Sequence, residues 1–260
     1  MSKLGCLKQF MAKEKSAVIA FSGGVDSSLL AKVAYDVLGD SALAITVDSM
    51  FVPRKEIKQA KRIARDIGIR HRIIEIPELP ADILDNDKLR CYKCKKRIFS
   101  LLLEVAAQEG MNVLFDGSNV DDLSDYRPGM KALQELGIKS PLLECGFTKQ
   151  DIRNTSKQLS LSSWNHPSLA CLASRIPYDN RITSSDLSKV EKAEAYLHQL
   201  GFNQLRVRCH NNLARIEVSK EERSQFFHVD VMDQINTEFK SLGFKYVSLD
   251  LEGYKTGKMN

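Results

Sequence analysis

Along the first half of the chain, short apolar runs alternate with longer stretches in which apolar residues recur at helical spacing. The runs at residues 18–21, 42–47, 72–76 and 113–115 predict strands, and the stretches at 27–38, 54–67 and 95–109 predict the helices between them. A βαβα order of this kind predicts a parallel sheet with helices on both faces and puts ligands at the carboxyl ends of the strands. Past Pro177 the rhythm changes. A helix over 185–200, two alternating strands over 205–210 and 213–218, a second helix and a last strand over 246–251 predict a smaller α+β domain. The fold class is therefore α/β with a C-terminal α+β domain. The change of pattern sets the expected division at 1–179 and 180–260.

Composition narrows the class of protein without changing that picture. A chain of 260 residues with 43% apolar content can bury one large core, or one core and a small second domain. No stretch approaches the ~20 uncharged apolar residues of a membrane span. The N-terminus MSKLGCLKQFMAKEKSAV lacks the apolar core of a signal peptide, so a cytoplasmic protein with no membrane partner is expected. A net charge of +5 spread along the chain suits an enzyme with anionic substrates, and it is too weak to argue for nucleic acid. A homo-oligomer is expected. Six cysteines in such a chain are expected to be reduced, metal-bound or catalytic rather than disulfide-linked.

Candidate chemistry begins at the join between the first strand and its helix, where the sequence reads SGGVDSS from Ser22 to Ser28. Small and polar residues here make either a tight turn with a helix cap or an anion site, because the free amides and the positive end of the helix dipole point into the turn. No Gly-Lys-Ser/Thr follows, so this is not a Walker A loop, and the G-x-G-x-x-G spacing of the dinucleotide fingerprint is absent. Asp48, just after the second strand, lies at the same sheet edge and either meets the adenosine portion of a nucleotide or caps the next helix. After the fourth strand, Asp116, Asp121, Asp122 and Asp125 form either a solvated acidic loop or a source of oxygen ligands for Mg2+. Arg127, in a loop stiffened by Pro128, is the better phosphate contact because its guanidinium is a bidentate fork.

In LRVRCHNNLARIEV a two-residue turn at Asn211 and Asn212 sets Arg206 opposite Glu217 and Arg208 opposite Arg215. Leu205, Val207, Cys209, Ala214, Ile216 and Val218 then share the other face, which predicts a core side and a side bearing three arginines, His210 and Glu217. Antiparallel sheets commonly solvate one face. Like charges set directly opposite are unfavourable unless an anion joins them, and this favours a phosphate-binding face. Among the cysteines, Cys91 and Cys94 form a C-x-x-C just before a predicted helix, Cys171 lies in ACLASR, and Cys6, Cys145 and Cys209 are isolated, Cys209 in a core position. A lone C-x-x-C is half a zinc site, a redox pair or a coincidence.

SGGVDSS, following a first strand and opening a helix, resembles the pyrophosphate loop (PP-loop) of the ATP-pyrophosphatase superfamily, whose members adenylylate a substrate and release pyrophosphate. With FDGSNVDDLSDYRPG, SPLLECGFTKQDIR, WNHPSLACLASRIPY and LRVRCHNNLARIEV, the chain is similar to the LarE family from the first strand to the end. These are ATP-dependent sulfur transferases that make the nickel-pincer nucleotide cofactor of lactate racemase. The resemblance implies a Rossmann-like PP-loop fold, with ATP and Mg2+ bound through Ser22, Gly23, Gly24, Val25, Asp26, Ser27, Asp48, Gly117 and Arg127. It also implies a small-molecule mononucleotide substrate whose phosphate is held by Arg206 and Arg208, with Glu194 and Glu217 nearby. The chemistry that the resemblance implies is that ATP adenylylates a carboxylate of pyridinium-3,5-biscarboxylic acid mononucleotide, a protein-held sulfur attacks the activated carbonyl, and AMP leaves.

LarE-like proteins are of two kinds. One sacrifices a single cysteine at the Cys171 position and leaves dehydroalanine. The other uses three cysteines to hold a 4Fe-4S cluster whose fourth iron carries sulfide from an external donor. Cys91, Cys94 and Cys171 match the second kind as catalytic residues and metal ligands. The chain departs from the family's usual pattern at His166, where a lysine is common, and at Asp179, where a glycine often follows Pro-Tyr. Two other readings remain: a PP-loop tRNA thiolation enzyme, which predicts a basic RNA surface, and a nucleotide-binding protein without turnover.

Overall fold

A computed structural model describes residues 2–124, 128–167 and 170–255. They form two compact units, one from residues 1–79 and 89–169 and the other from 80–88 and 170–260. The chain therefore leaves the first unit at residue 80, returns at 89 and leaves again at 170, whereas the sequence pattern suggests one passage near Asp179. The physical reason is local: residues 80–88 hydrogen-bond to the segment 176–182, through Asp179 N to Asn86 O at 3.1 Å and Ile182 N to Leu84 O at 2.8 Å.

The first unit contains α1 (Lys3–Ala12), β1 (Ala17–Ala20), α2 (Val25–Leu38), β2 (Ala42–Ser49), α3 (Arg54–Ile67) and β3 (Arg70–Ile76). The one-turn helix α4 (Ala81–Leu84) belongs to the excursion into the second unit. Then come α5 (Arg90–Gln108), β4 (Leu114–Phe115), α6 (Pro128–Glu135), α7 (Pro141–Glu144) and α8 (Lys149–Gln158). The sheet is parallel, in the order β3-β2-β1-β4, so β1 is central. Its side chains alternate between two cores, as a strand covered on both faces requires. Ala17 and Ile19 pack with residues of α1, α2, α3 and the α7–α8 region, while Val18 packs with Phe99, Leu102 and Val105 of α5. The expected α/β class and both helical layers are present.

Helix ends follow local chemistry. α3 stops at Gly68, whose φ of 86° lets its N–H reach back to Ala64 O and Arg65 O. α8 opens with a capping box, Thr148 accepting from Asp151 N while the Asp151 carboxylate accepts from Thr148 N. α5 begins earlier than its apolar spacing predicts, so Cys91 and Cys94 lie in its opening turns, inside the helix rather than before it.

The second unit continues with α9 (Ser184–Gln199), β5 (Leu205–His210), β6 (Leu213–Val218), α10 (Val229–Ser241) and β7 (Tyr246–Leu249), the strands in the order β5-β6-β7. β5 and β6 pair antiparallel in the expected register, Arg206 to Glu217 and Arg208 to Arg215, and Asn211 takes φ 56° at the turn. The apolar face is buried throughout. The opposite face is only partly solvated: Arg208 and Glu217 are 4% and 0% exposed, while Arg206, His210 and Arg215 are half-buried.

Candidate active site

The turn after β1 is built as a preorganised loop. Ser27 Oγ donates to Gly24 O at 3.3 Å and accepts from Ser22 N at 3.3 Å, and Gly24 N donates to Ser22 Oγ at 3.3 Å. Gly23 has φ 72°, and a Cβ there would lie 2.8 Å from Ala60 Cα, so glycine allows the loop to rest on α3. Gly117 is similarly close to the start of α2, where a Cβ would fall 3.3 Å from Ser27 N. Gly24 is the N-cap of α2 and supplies no side-chain cap. A helix N-terminus capped this way leaves amides for an anion, at the carboxyl end of a central strand.

Charged and polar groups surround that loop. Asp26, in the first turn of α2, accepts from Lys149 Nζ at 2.5 Å and from Asn119 Nδ2 at 3.4 Å. Gln59 of α3 donates to Gly23 O at 3.1 Å and lies 3.0 Å from His166 Nδ1. Because an amide nitrogen only donates, His166 Nδ1 must accept, which makes the ring neutral with its proton on Nε2. Burial, and then the charges of Arg62 and Arg153, hold His166 below its ordinary pKa and favour the same state. On the other side, the Thr46 hydroxyl gives its proton to Phe21 O at 2.7 Å and accepts from His71 Nε2 at 2.8 Å, fixing the exit of β1. Asp48 lies within β2 and pairs with Arg54 at 2.5 Å, joining the end of that strand to the start of α3.

The acidic residues after β4 take individual roles. Asp116, 4% exposed, accepts from Ser118 Oγ and Ser140 Oγ, both at 2.5 Å, with Lys95 Nζ at 3.8 Å. Asp122 accepts from Asn119 N at 3.0 Å, and Asp121 from Lys149 N at 2.8 Å at the start of α8. Asp125 and Arg127 lie outside the described residues. Within either unit, no three His, Cys, Asp or Glu side chains among the described residues are grouped to hold a metal ion.

The thiols are divided between the units. Cys91 and Cys94, spaced i and i+3, share one side of α5 in the first unit, and Arg90 Nη2 lies 3.7 Å from Cys91 Sγ. Cys171 is exposed in the second unit, and its carbonyl accepts from Ser174 N at 3.0 Å and Ser174 Oγ at 2.8 Å. Cys209 is buried, and burial with the nearby Asp186 pushes its thiol up to about 11, so it is a core residue as expected. Cys6 and Cys145 depart from expectation. They form a disulfide, with a Cα–Cα distance of 5.9 Å, between α1 and the residue after α7. The packing of α1 brings together two cysteines 139 positions apart, which linear spacing cannot reveal.

On the arginine face, the anion that joins Arg208 and Arg215 is internal. Glu217 accepts from Arg208 Nε and Nη2 at 3.1 and 3.0 Å and from Arg215 Nη2 at 2.9 Å, while Arg208 Nη1 donates to Ser174 O at 2.6 Å. Glu194 is also engaged, bidentate with the buried Arg175 at 2.9 and 3.0 Å and accepting from Val207 N at 3.0 Å. Burial raises the Glu194 carboxyl, but the charge and hydrogen bonds of Arg175 outweigh it and keep the group below its usual range. Arg206 differs. It donates to Leu205 O at 2.7 Å and lies over the Tyr254 ring at 5.1 Å, and no ion pair to a carboxylate ties it among the described residues. Burial and then the neighbouring Arg175 lower its pKa, against the opposing charge of Glu194.

A family model described as NAD synthase matches residues 6–122, the part that carries the loop. An uncharacterized protein of Synechocystis is 45% identical over 100% of this chain and 97% of its own length. The pyridinium-3,5-bisthiocarboxylic acid mononucleotide synthase of Lactiplantibacillus plantarum is 38% identical over 93% of this chain and 88% of its own. An uncharacterized protein of Methanocaldococcus jannaschii is 32% identical over 94% of this chain and 92% of its own length.

Proposed function

The chain belongs to the LarE family of ATP-dependent sulfur-inserting enzymes, and from that premise we propose that it converts carboxylate to thiocarboxylate on pyridinium-3,5-biscarboxylic acid mononucleotide, releasing AMP and pyrophosphate. One observation carries the first half-reaction: a glycine-shaped loop at the carboxyl end of β1, opening α2 with no side-chain cap and flanked by the Asp26–Lys149 pair. Backbone amides at the opening of α2 bind the leaving pyrophosphate, the loop from Ser22 to Ser27 wraps it, and Lys149 adds positive charge beside it. Mg2+ accompanies the ATP phosphates. A carboxylate oxygen of the substrate attacks the α-phosphorus, and the bond to pyrophosphate breaks.

In the second half-reaction hydrosulfide attacks the acyl carbon, AMP departs with the former carboxylate oxygen, and the thiol proton is lost to solvent without a change in oxidation state. Arg206 supports binding of the substrate phosphate, since its guanidinium is the one on that face not tied by a carboxylate among the described residues. Cys91, Cys94 and Cys171 are the residues that would hold a 4Fe-4S cluster. Their fit rests on the i, i+3 pair in the opening turns of α5 and on an exposed third thiol. When bound, such a cluster supplies an open iron that presents sulfide as the nucleophile. The second unit, residues 80–88 and 170–260, holds the substrate, and the PP-loop unit activates it. Substrate labelled with 18O in its carboxylates tests the activation step. One labelled oxygen is expected in AMP, and label appearing in inorganic phosphate contradicts it.

A further inference from the structure

The loop that carries Cys171 is held at both ends by buried polar side chains. At its start Arg175, 3% exposed, donates through Nη1 to Ala170 O at 2.8 Å and to Cys171 O at 3.0 Å, while its other nitrogens grip Glu194. At its end stands Asn86, which is fully buried and comes from the segment 80–88. Asn86 Nδ2 donates to Pro177 O at 2.6 Å and Asn180 O at 2.9 Å, with Ile176 O at 3.4 Å. Its backbone carbonyl accepts from Asp179 N at 3.1 Å.

Asn86 holds this place in the left-handed region, at φ 63°. Such a backbone is disfavoured for most residues with a Cβ, is tolerated by asparagine, and persists where the surroundings enforce it. Both amide hydrogens are directed at the exit of one loop. The same residue shortly precedes Arg90, where α5 begins and places Cys91 and Cys94 in its opening turns. Asn86 is therefore bonded to the exit of one cysteine segment and covalently close to the entry of the other.

We propose that Asn86 is a positioning residue for sulfur delivery: from the segment 80–88 it clamps the exit of the Cys171 loop and so fixes the course of the backbone that carries this thiol. The proposal rests on the reading of these thiols as the sulfur-delivering group. It separates the half-reactions, because carboxylate activation belongs to the pyrophosphate loop of the first unit, while sulfur transfer depends on the Cys171 loop.

Two full-length variants test it: Asn86→Gly keeps access to the left-handed backbone and removes the amide, and Asn86→Asp keeps the shape and replaces the donor by an acceptor facing carbonyl oxygens. Hydrogen exchange read by mass spectrometry is expected to be about tenfold faster over residues 171–182 in Asn86→Gly, with α2 peptides unchanged. Unchanged exchange in the loop overturns the clamp, whatever the enzyme does. Under anaerobic conditions with sulfide, both variants are expected to form thiocarboxylate about tenfold more slowly while ATP–pyrophosphate exchange stays within about twofold of the parent chain. A proportional loss of both half-reactions overturns the positioning role and marks a general effect on folding. Failure of the parent chain itself to make thiocarboxylate refutes the proposed function instead, and loop exchange then decides the clamp alone.

Discussion

Asp26 and Lys149 are 123 positions apart and meet at 2.5 Å beside the loop. Removing a charge-assisted partner of this kind costs about 1.5–3 kcal/mol, so Asp26→Ala should slow adenylylation by roughly ten- to a hundredfold, measured by ATP–pyrophosphate exchange. Asp26 is legible in SGGVDSS, but its partner is not, because nothing in the linear spacing links Lys149 to the loop. The T-x-x-D signature at Thr148 announces the helix on which Lys149 stands, and that is as far as the sequence goes. The arginine face teaches the complementary lesson. Alternation correctly sets Arg208 against Arg215 and requires an anion between them, yet the anion is Glu217, reached diagonally across the pair and along its own strand. The two arginines of β5 should therefore behave differently. Arg206→Ala is expected to weaken mononucleotide binding by about tenfold and leave ATP binding unchanged. Arg208→Ala strips one partner from a buried carboxylate and should destabilise the fold by about 3 kcal/mol in a denaturant titration.

Elements follow the same division between local and distant information. The central strands and α2, α3, α9 and the β5–β6 hairpin are readable because apolar periodicity records which face each buries. The N-terminal part of α5 is not, since RCYKCKK has no apolar repeat and its helical state comes from packing against α6. α1 and α8 escape for a similar reason, being short and recognisable chiefly by their serine and threonine caps. Asp179 adopts a left-handed backbone, φ 63°, which glycine takes without cost and aspartate tolerates. At the pyrophosphate loop tolerance is narrower. Gly23→Ala combines a positive φ with a Cβ 2.8 Å from Ala60 Cα, so it must displace the loop from α3. That variant should bind ATP at least about tenfold more weakly by calorimetry while its far-ultraviolet circular dichroism matches the parent.

For the molecule as a whole, stability should depend on pH and on redox state. Burial holds His71, His166 and His210 below their ordinary 6.5. The unfolded chain then takes up protons below pH 6.5 that the folded chain refuses, so this stability is complete above 6.5 and declines as pH falls. A lower unfolding midpoint near pH 5.5 than near 7.5 is expected at constant ionic strength. The Cys6–Cys145 disulfide spans 139 positions, and its reduction should cost the first unit about 2–5 kcal/mol through the freedom regained by the unfolded chain. No helix among the described residues is long and apolar enough to cross a membrane. ATP-driven sulfur insertion at an activated carboxylate is tested most directly by product stoichiometry. Anaerobically prepared chain supplied with ATP, Mg2+, sulfide and the mononucleotide should release one AMP and one pyrophosphate for each thiocarboxylate found by mass spectrometry, over repeated turnovers. ADP and phosphate as the products, or AMP released with no sulfur in the mononucleotide, would contradict it.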